Sequence, residues 1–133
     1  IDKHPGVTQF DEWLPAGFEG GISLNVGTVV YGTNGELAVR LTERNADAAF
    51  ELVFDSPIAV RMAGEGSLIS YWKTGFSARK HSIFSARASQ FLDWIESSSA
   101  GIHSAGRVTH YAVFSDDLCI EVLSYEPPSF RIL

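Results

Sequence analysis

The chain has 133 residues, 45% of them apolar and 20% charged, which is enough to bury a core and too apolar for a disordered segment. Its formal net charge is −6, and all of the excess lies in residues 1–66, where Asp and Glu outnumber Lys and Arg ten to four. That balance argues against nucleic acid as a partner, because neutralising phosphates takes clustered Lys and Arg.

Residues 1–20 mix Pro5, Gly6, Pro15, Gly17 and Gly20 with Phe10, Trp13, Leu14 and Phe18, which reads as an irregular arm pinning aromatic rings onto the domain. Residues 22–31 (ISLNVGTVVY) alternate, with Ile22, Leu24, Val26 and Val30 on one face of a strand. Asn34-Gly35 then marks a hairpin, since both residues tolerate positive φ, and residues 36–43 return with Leu37, Val39 and Leu41 inward. A turn at residues 44–47 leads to residues 48–54, where Phe50, Leu52 and Phe54 oppose Glu51. Residues 58–62 and 68–72 read as two further short strands on either side of Gly64-Glu65-Gly66.

The strongest single signal is the stretch 84–100, where Phe84, Ala88, Phe91, Leu92 and Ile95 form one stripe of a helix of period 3.6. Ser82 or Ser85 is the expected cap, Gly101 the expected left-handed residue after the last turn, and Ile102 the residue folding back on it. Arg87, Ser89, Gln90, Asp93 and Glu96 fall on the opposite, solvent face. Beyond it, residues 107–114 and 118–124 form a second hairpin through Ser115-Asp116-Asp117, Pro127 and Pro128 end the ladder, and residues 130–133 return as a short edge strand.

Short turns between strands imply an antiparallel meander, so the expected fold is one α+β domain over residues 1–133. It is a mostly antiparallel curved sheet of about six or seven strands, open to partial barrel closure, with one main helix packed on its concave face.

Catalytic and metal signals are weak. His4, His81, His103 and His110 are scattered with no i, i+4 pair, so no metal site and no cofactor are expected. No Gly-x-Ser-x-Gly elbow precedes the helix, and Gly64-Glu65-Gly66 lacks the third glycine and the lysine of a phosphate loop. Lys73, Arg79, Lys80 and Arg87 make a basic run that reads as a solvated loop and helix start. The lone Cys119 excludes an internal disulfide and points to a reducing, cytoplasmic setting. No apolar run approaches the roughly 18–20 residues of a membrane span, and residues 1–20 carry no signal-peptide pattern, so no membrane association is expected.

The segments LVFDSPIAVRMAGEGSLISYW and SQFLDWIESSSAGIHSAGRVTHYAVFSDDLCIEVLSYEPP resemble small single-domain bacterial proteins, mostly uncharacterised, some of them of toxin-immunity type. The shared features are an Arg and Gly-Glu-Gly after a strand, a Phe-Leu-x-Trp helix, His-Tyr on the next strand and an acidic turn before Cys-Ile. The resemblance implies a small cytoplasmic binding domain and brings no catalytic residue with it.

Two function classes follow. In the first, a non-enzymatic protein-binding module masks a basic partner such as a toxin, using Glu43, Asp47, Glu51, Asp55, Asp116 and Asp117, with Trp72 or Tyr111 as anchors. Glu43, Asp47, Glu51 and Asp55 are expected to cluster on one face. In the second, a small-molecule site or enzyme handles an anionic ligand with Arg61 and His110. A homodimer through strand edges, with residues 130–133 available for pairing, accompanies either.

Overall fold

The computed structural model describes residues 8–15, 23–43, 46–68, 71, 81–116 and 118–133. Nine strands and one α-helix stand among them: β1 (Asp11–Glu12), β2 (Leu24–Tyr31), β3 (Leu37–Glu43), β4 (Ala49–Phe54), β5 (Ala59–Gly64), β6 (Ile83–Ala86), α1 (Gln90–Ser98), β7 (Thr109–Phe114), β8 (Leu118–Ser124) and β9 (Ser129–Ile132). All pairings are antiparallel. The fold is α+β, as the strand and helix patterns require.

The strands divide between two sheets rather than forming one. Sheet order is β1-β6-β7-β8-β5 in the first and β2-β3-β4-β9 in the second, and neither closes into a barrel. The Asn34-Gly35 hairpin joins β2 to β3, with Gly35 at φ +85 and the Asn34 side chain accepting from the Glu36 N–H. Between the sheets lies one apolar core built from alternate residues of both: Leu37, Val39, Leu41, Phe50, Leu52 and Phe54 from the second, Ile83, Tyr111, Val113, Ile120 and Val122 from the first. Ser82 joins them where they meet, its hydroxyl accepting from the Leu24 N–H at 2.8 Å and donating to the Leu24 carbonyl at 3.2 Å.

In β2 the alternation breaks at a register shift between Val26 and Thr28. Val29 therefore packs on the core, and Val30, expected inward, is 59% exposed. A one-residue irregularity moves every later side chain to the other face.

The main helix is shorter than its apolar stripe suggests. Residues 83–86 are strand β6, hydrogen-bonded between β1 and β7, so the helix starts at Gln90 and not at residue 84. Ser89, in extended geometry, is the N-cap, and its hydroxyl accepts from the Leu92 N–H. Phe84 belongs to the sheet, where Phe10, Phe114 and Cys119 surround it. At the other end Ala100 N–H bonds to Ser97 O and Gly101 N–H to Glu96 O, a Schellman closure in which Ala100 (φ 53) takes the first left-handed position and Gly101 (φ 84) is left-handed as expected. Ile102 does not fold back and is 79% exposed.

Three further segments differ from or refine expectation. Of the expected strand 68–72, residues 69, 70 and 72 lie outside the described residues; Leu68 follows a 3-10 turn at Glu65–Ser67, Tyr71 is helical with its N–H bonded to Leu68 O, and both pack on the Phe84–Phe114 cluster. Within residues 8–15 the arm pins Phe10 and Trp13 as expected, and also contributes the two-residue β1. Residues 129–132 return as edge strand β9 on β4, with Phe130 stacked on Phe50.

Helix α1 covers part of the outer face of the five-stranded sheet, where Phe91, Leu92 and Ile95 meet Val108 and Leu123. Leu92 is 0% exposed and Phe91 4%, as the stripe predicts. Replacing Leu92 with Ala is expected to cost about 2–5 kcal/mol. Urea unfolding measures this, and an unchanged midpoint would refute the packing.

Candidate functional site

Alternation places His110, Ala112 and Phe114 of β7, Cys119, Glu121 and Leu123 of β8, and Ala59, Arg61 and Ala63 of β5 on the face turned away from the inter-sheet core. Two apolar clusters occupy this face, one under α1 and one around Phe84, Phe114 and Tyr71. Between them runs a line of polar groups. Ser89 Oγ lies 2.8 Å from His110 Nδ1, and His110 Nε2 lies 2.8 Å from Glu121 Oε1. Glu121 also accepts from Arg61 Nε at 2.7 Å and Nη2 at 3.1 Å, and from Tyr71 Oη at 2.6 Å. Arg61 Nη2 donates in turn to Tyr71 Oη at 2.6 Å.

Hydrogen-bond direction assigns the imidazole tautomer. Ionised Glu121 can only accept, so Nε2 carries a proton, and in the neutral imidazole Nδ1 is left as acceptor for the Ser89 O–H. Ser89 Oγ meanwhile accepts from the Leu92 N–H, so the chain runs in one direction from the helix backbone to the carboxylate. His110 is 0% exposed, held edge-on by the rings of Phe10 and Phe91. The Arg61 guanidinium lies 4.1 Å over the centre of the Phe91 ring, a cation–π contact, and Trp94 packs against the same ring.

Burial pushes the Glu121 carboxyl up, but hydrogen bonds from His110, Arg61 and Tyr71 outweigh it and bring the group down from 4.5 to about 2. The Tyr71 phenol is pushed well up, first by burial and then by its bond to the Glu121 carboxylate. For Arg61, burial acts downward, but the Glu121 carboxylate prevails and holds the guanidinium above its ordinary value. Burial also raises the Cys119 thiol, which leaves it a packing residue.

Arg61 and His110, paired in the sequence reading, thus meet through Glu121. The sequence pattern points to neither Glu121 nor Ser89 as site residues, and it puts Ser89 on the solvent face. One signal was available: Glu121 stands between Ile120 and Val122 inside an apolar strand, where a carboxylate needs partners.

The acids of the other reading are not brought together. Glu43 and Asp47 are both exposed, at the end of β3 and in the turn to β4. Asp55 lies past the opposite end of the six-residue β4, about 20 Å away at about 3.4 Å per residue. That exceeds a Debye length of about 8 Å, so the expected cluster does not form. Glu51 is ion-paired to Arg131 at 2.7 Å and stands opposite Arg40, so its charge is spent. Asp116 is exposed on the turn between β7 and β8, in the other sheet. Tyr111 cannot anchor a partner, because it points into the core against Trp13 and Phe54 and is 6% exposed. Trp72 and Asp117 lie outside the described residues. Among the described residues Trp94, beside Phe91, is an exposed aromatic, at 53%.

Among the described residues no group of three His, Cys, Asp or Glu converges as metal ligands, and no helix is long and apolar enough to cross a membrane. No protein-family model, curated protein or solved structure gives a match to this chain.

Because the folded-state value of Glu121 lies below its ordinary one, the stabilisation it brings is complete above pH 4.5 and fades as the pH falls toward about 2. A shift of that size corresponds to about 3 kcal/mol. Glu121→Gln is therefore expected to be destabilised near neutral pH, with the gap to the unaltered chain narrowing below about pH 4.5. Urea midpoints measured from neutral to acid pH check this, and a gap independent of pH would contradict it.

Proposed function

We propose that this chain is a non-enzymatic protein-binding module that masks a basic partner, in the manner of the toxin-immunity proteins its sequence resembles. The observation that carries the reading is the closed polar network. The serine, imidazole, carboxylate, guanidinium and phenol that could perform chemistry are bonded to one another. Ser89, His110 and Glu121 do stand in the order of an acyl-transfer triad, but Ser89 Oγ caps α1 and is 6% exposed, and Arg61 and Tyr71 already hold the carboxylate. A net charge of −6 favours encounter with a basic surface over long range. The exposed carboxylates Glu43 and Asp47, close together at one end of the four-stranded sheet, are the local contribution to that attraction.

The test captures a partner from the source cell on the immobilised chain and then measures association rates at low and high salt. Glu43→Lys with Asp47→Lys is expected to slow association at low salt and much less at high salt, while Asp55→Lys alone has a smaller effect. An acidic partner, or a low-salt rate unchanged by the double reversal, overturns the reading.

The other reading, an anionic-ligand site or enzyme at Arg61 and His110, has one observation in its favour. The Arg61 side chain is 45% exposed, and among the described residues its Nη1 has no partner. Against it, Glu121 already neutralises the guanidinium and His110 is wholly buried. The two readings separate on Ser89: a fluorophosphonate probe is expected to leave it unlabelled by mass spectrometry, whereas labelling would make the triad an active one.

A further inference from the structure

The free edge of β5 is built differently from the other three sheet edges. Strand β1 is two residues long and wholly acidic, β2 carries a register shift, and β9 is four residues long with its charge held by Glu51. These are devices that discourage a further strand from pairing. Strand β5 runs six residues, AVRMAG, with no proline and a regular register against β8, and its single charge is turned onto Glu121. Among the described residues none of these protections is present at β5.

The ladder shows which groups of β5 are unpaired. Phe114 N–H donates to Ser82 O, so Phe114, Ala112 and His110 face β6, and the intervening residues of β7 face β8. Carried through the registers, Val122 and Ile120 face β7, whereas Glu121 and Cys119 face Arg61 and Ala63 of β5. The N–H and C=O groups of Val60, Met62 and Gly64 therefore point away from the sheet, and among the described residues nothing pairs with them. Met62, at 54% exposed, shows how open this edge is.

Beside the edge, on the outer face, stand the groups that supply specificity. Arg61 is clamped by Glu121, Tyr71 and the Phe91 ring, so its Nη1 is presented in one geometry and loses little entropy on contact. Trp94, packed against Phe91, offers an exposed ring. Arg and Trp are the residue types that most often carry the energy of an interface.

We propose that the edge of β5 is a strand-addition site. It takes an extended segment of a partner protein that pairs with Val60, Met62 and Gly64 and places one carboxylate side chain on Arg61 Nη1. This rests on the protein-binding reading and names its contact. A partner that is basic overall accommodates one carboxylate on its docking strand, so long-range attraction and the local contact act through different groups.

The test selects binders from a displayed random-peptide library on the full chain and follows the bound peptides by amide hydrogen exchange. The selected peptides are expected to carry an Asp or Glu and to protect the amides of Val60, Met62 and Gly64. Met62→Pro removes one outward N–H without touching the β8 ladder and is expected to weaken binding about tenfold or more. Met62→Ala keeps that N–H and is expected to change binding less than about threefold. The exchange measurement uses the unaltered chain, so it stands even if the proline variant fails to fold. Protection elsewhere, binding unaffected by Met62→Pro, peptides without a carboxylate, no retained peptide, or a homodimer protecting the same amides would each overturn the assignment. Capture of a basic partner that still binds Met62→Pro would remove the β5 site while leaving the protein-binding reading standing.

Discussion

The outer face of the five-stranded sheet is organised by one carboxylate. The Glu121 side chain is 3% exposed, and an ionised group at that depth costs several kcal/mol unless it is paired and hydrogen-bonded. Its partners come from four places in the chain. Arg61 is directly opposite on β5, His110 is diagonal on β7, Tyr71 arrives from the turn after the 3-10 segment, and Ser89 is attached through His110. Because Ser89 is also the N-cap of α1, satisfying the carboxylate fixes where the helix begins and how it lies on the sheet.

The same arrangement explains why polar groups can sit between two apolar clusters without weakening either. Each ring nitrogen of His110 has one partner, and the edges of Phe10 and Phe91 close the space around it. A fully connected network of this kind specifies one packing of helix on sheet, whereas a partly connected one would be worse than hydrocarbon. The inter-sheet core on the other face needs no such device, since it holds no charged side chain, and Ser82 ties its edge together through both backbone groups of Leu24.

For function, the consequence is a division of labour across the surface. The side chains of Ser89, His110, Glu121 and Tyr71 are spent on architecture, and within this network Arg61 keeps a side of its head group outward. Acidic residues are spread over both sheets, so they make a net charge more than a patch. The proposed binding reading assigns specific contact to the edge of β5 and to the aromatic side of α1, which adjoin because Phe91 packs under Arg61.

By itself the sequence determined seven of the nine described strands, both hairpins, the α+β class and the burial of Phe91 and Leu92, since period and turn chemistry are local properties of neighbouring residues. It could not place residues 83–86. Their apolar content fits either a helix stripe or a buried strand, and the choice was made by β1 and β7, which offer hydrogen bonds on both sides. It could not divide the strands between two sheets, place the irregularity in β2 that turns Val30 outward, or foresee that Arg131 would neutralise Glu51, because these depend on which strand lies beside which. Arg61 and His110 stood out in the sequence as polar residues on apolar strands. Only the tertiary structure joined them, because the carboxylate between them is distant in sequence, and a buried charge finds its partners in space.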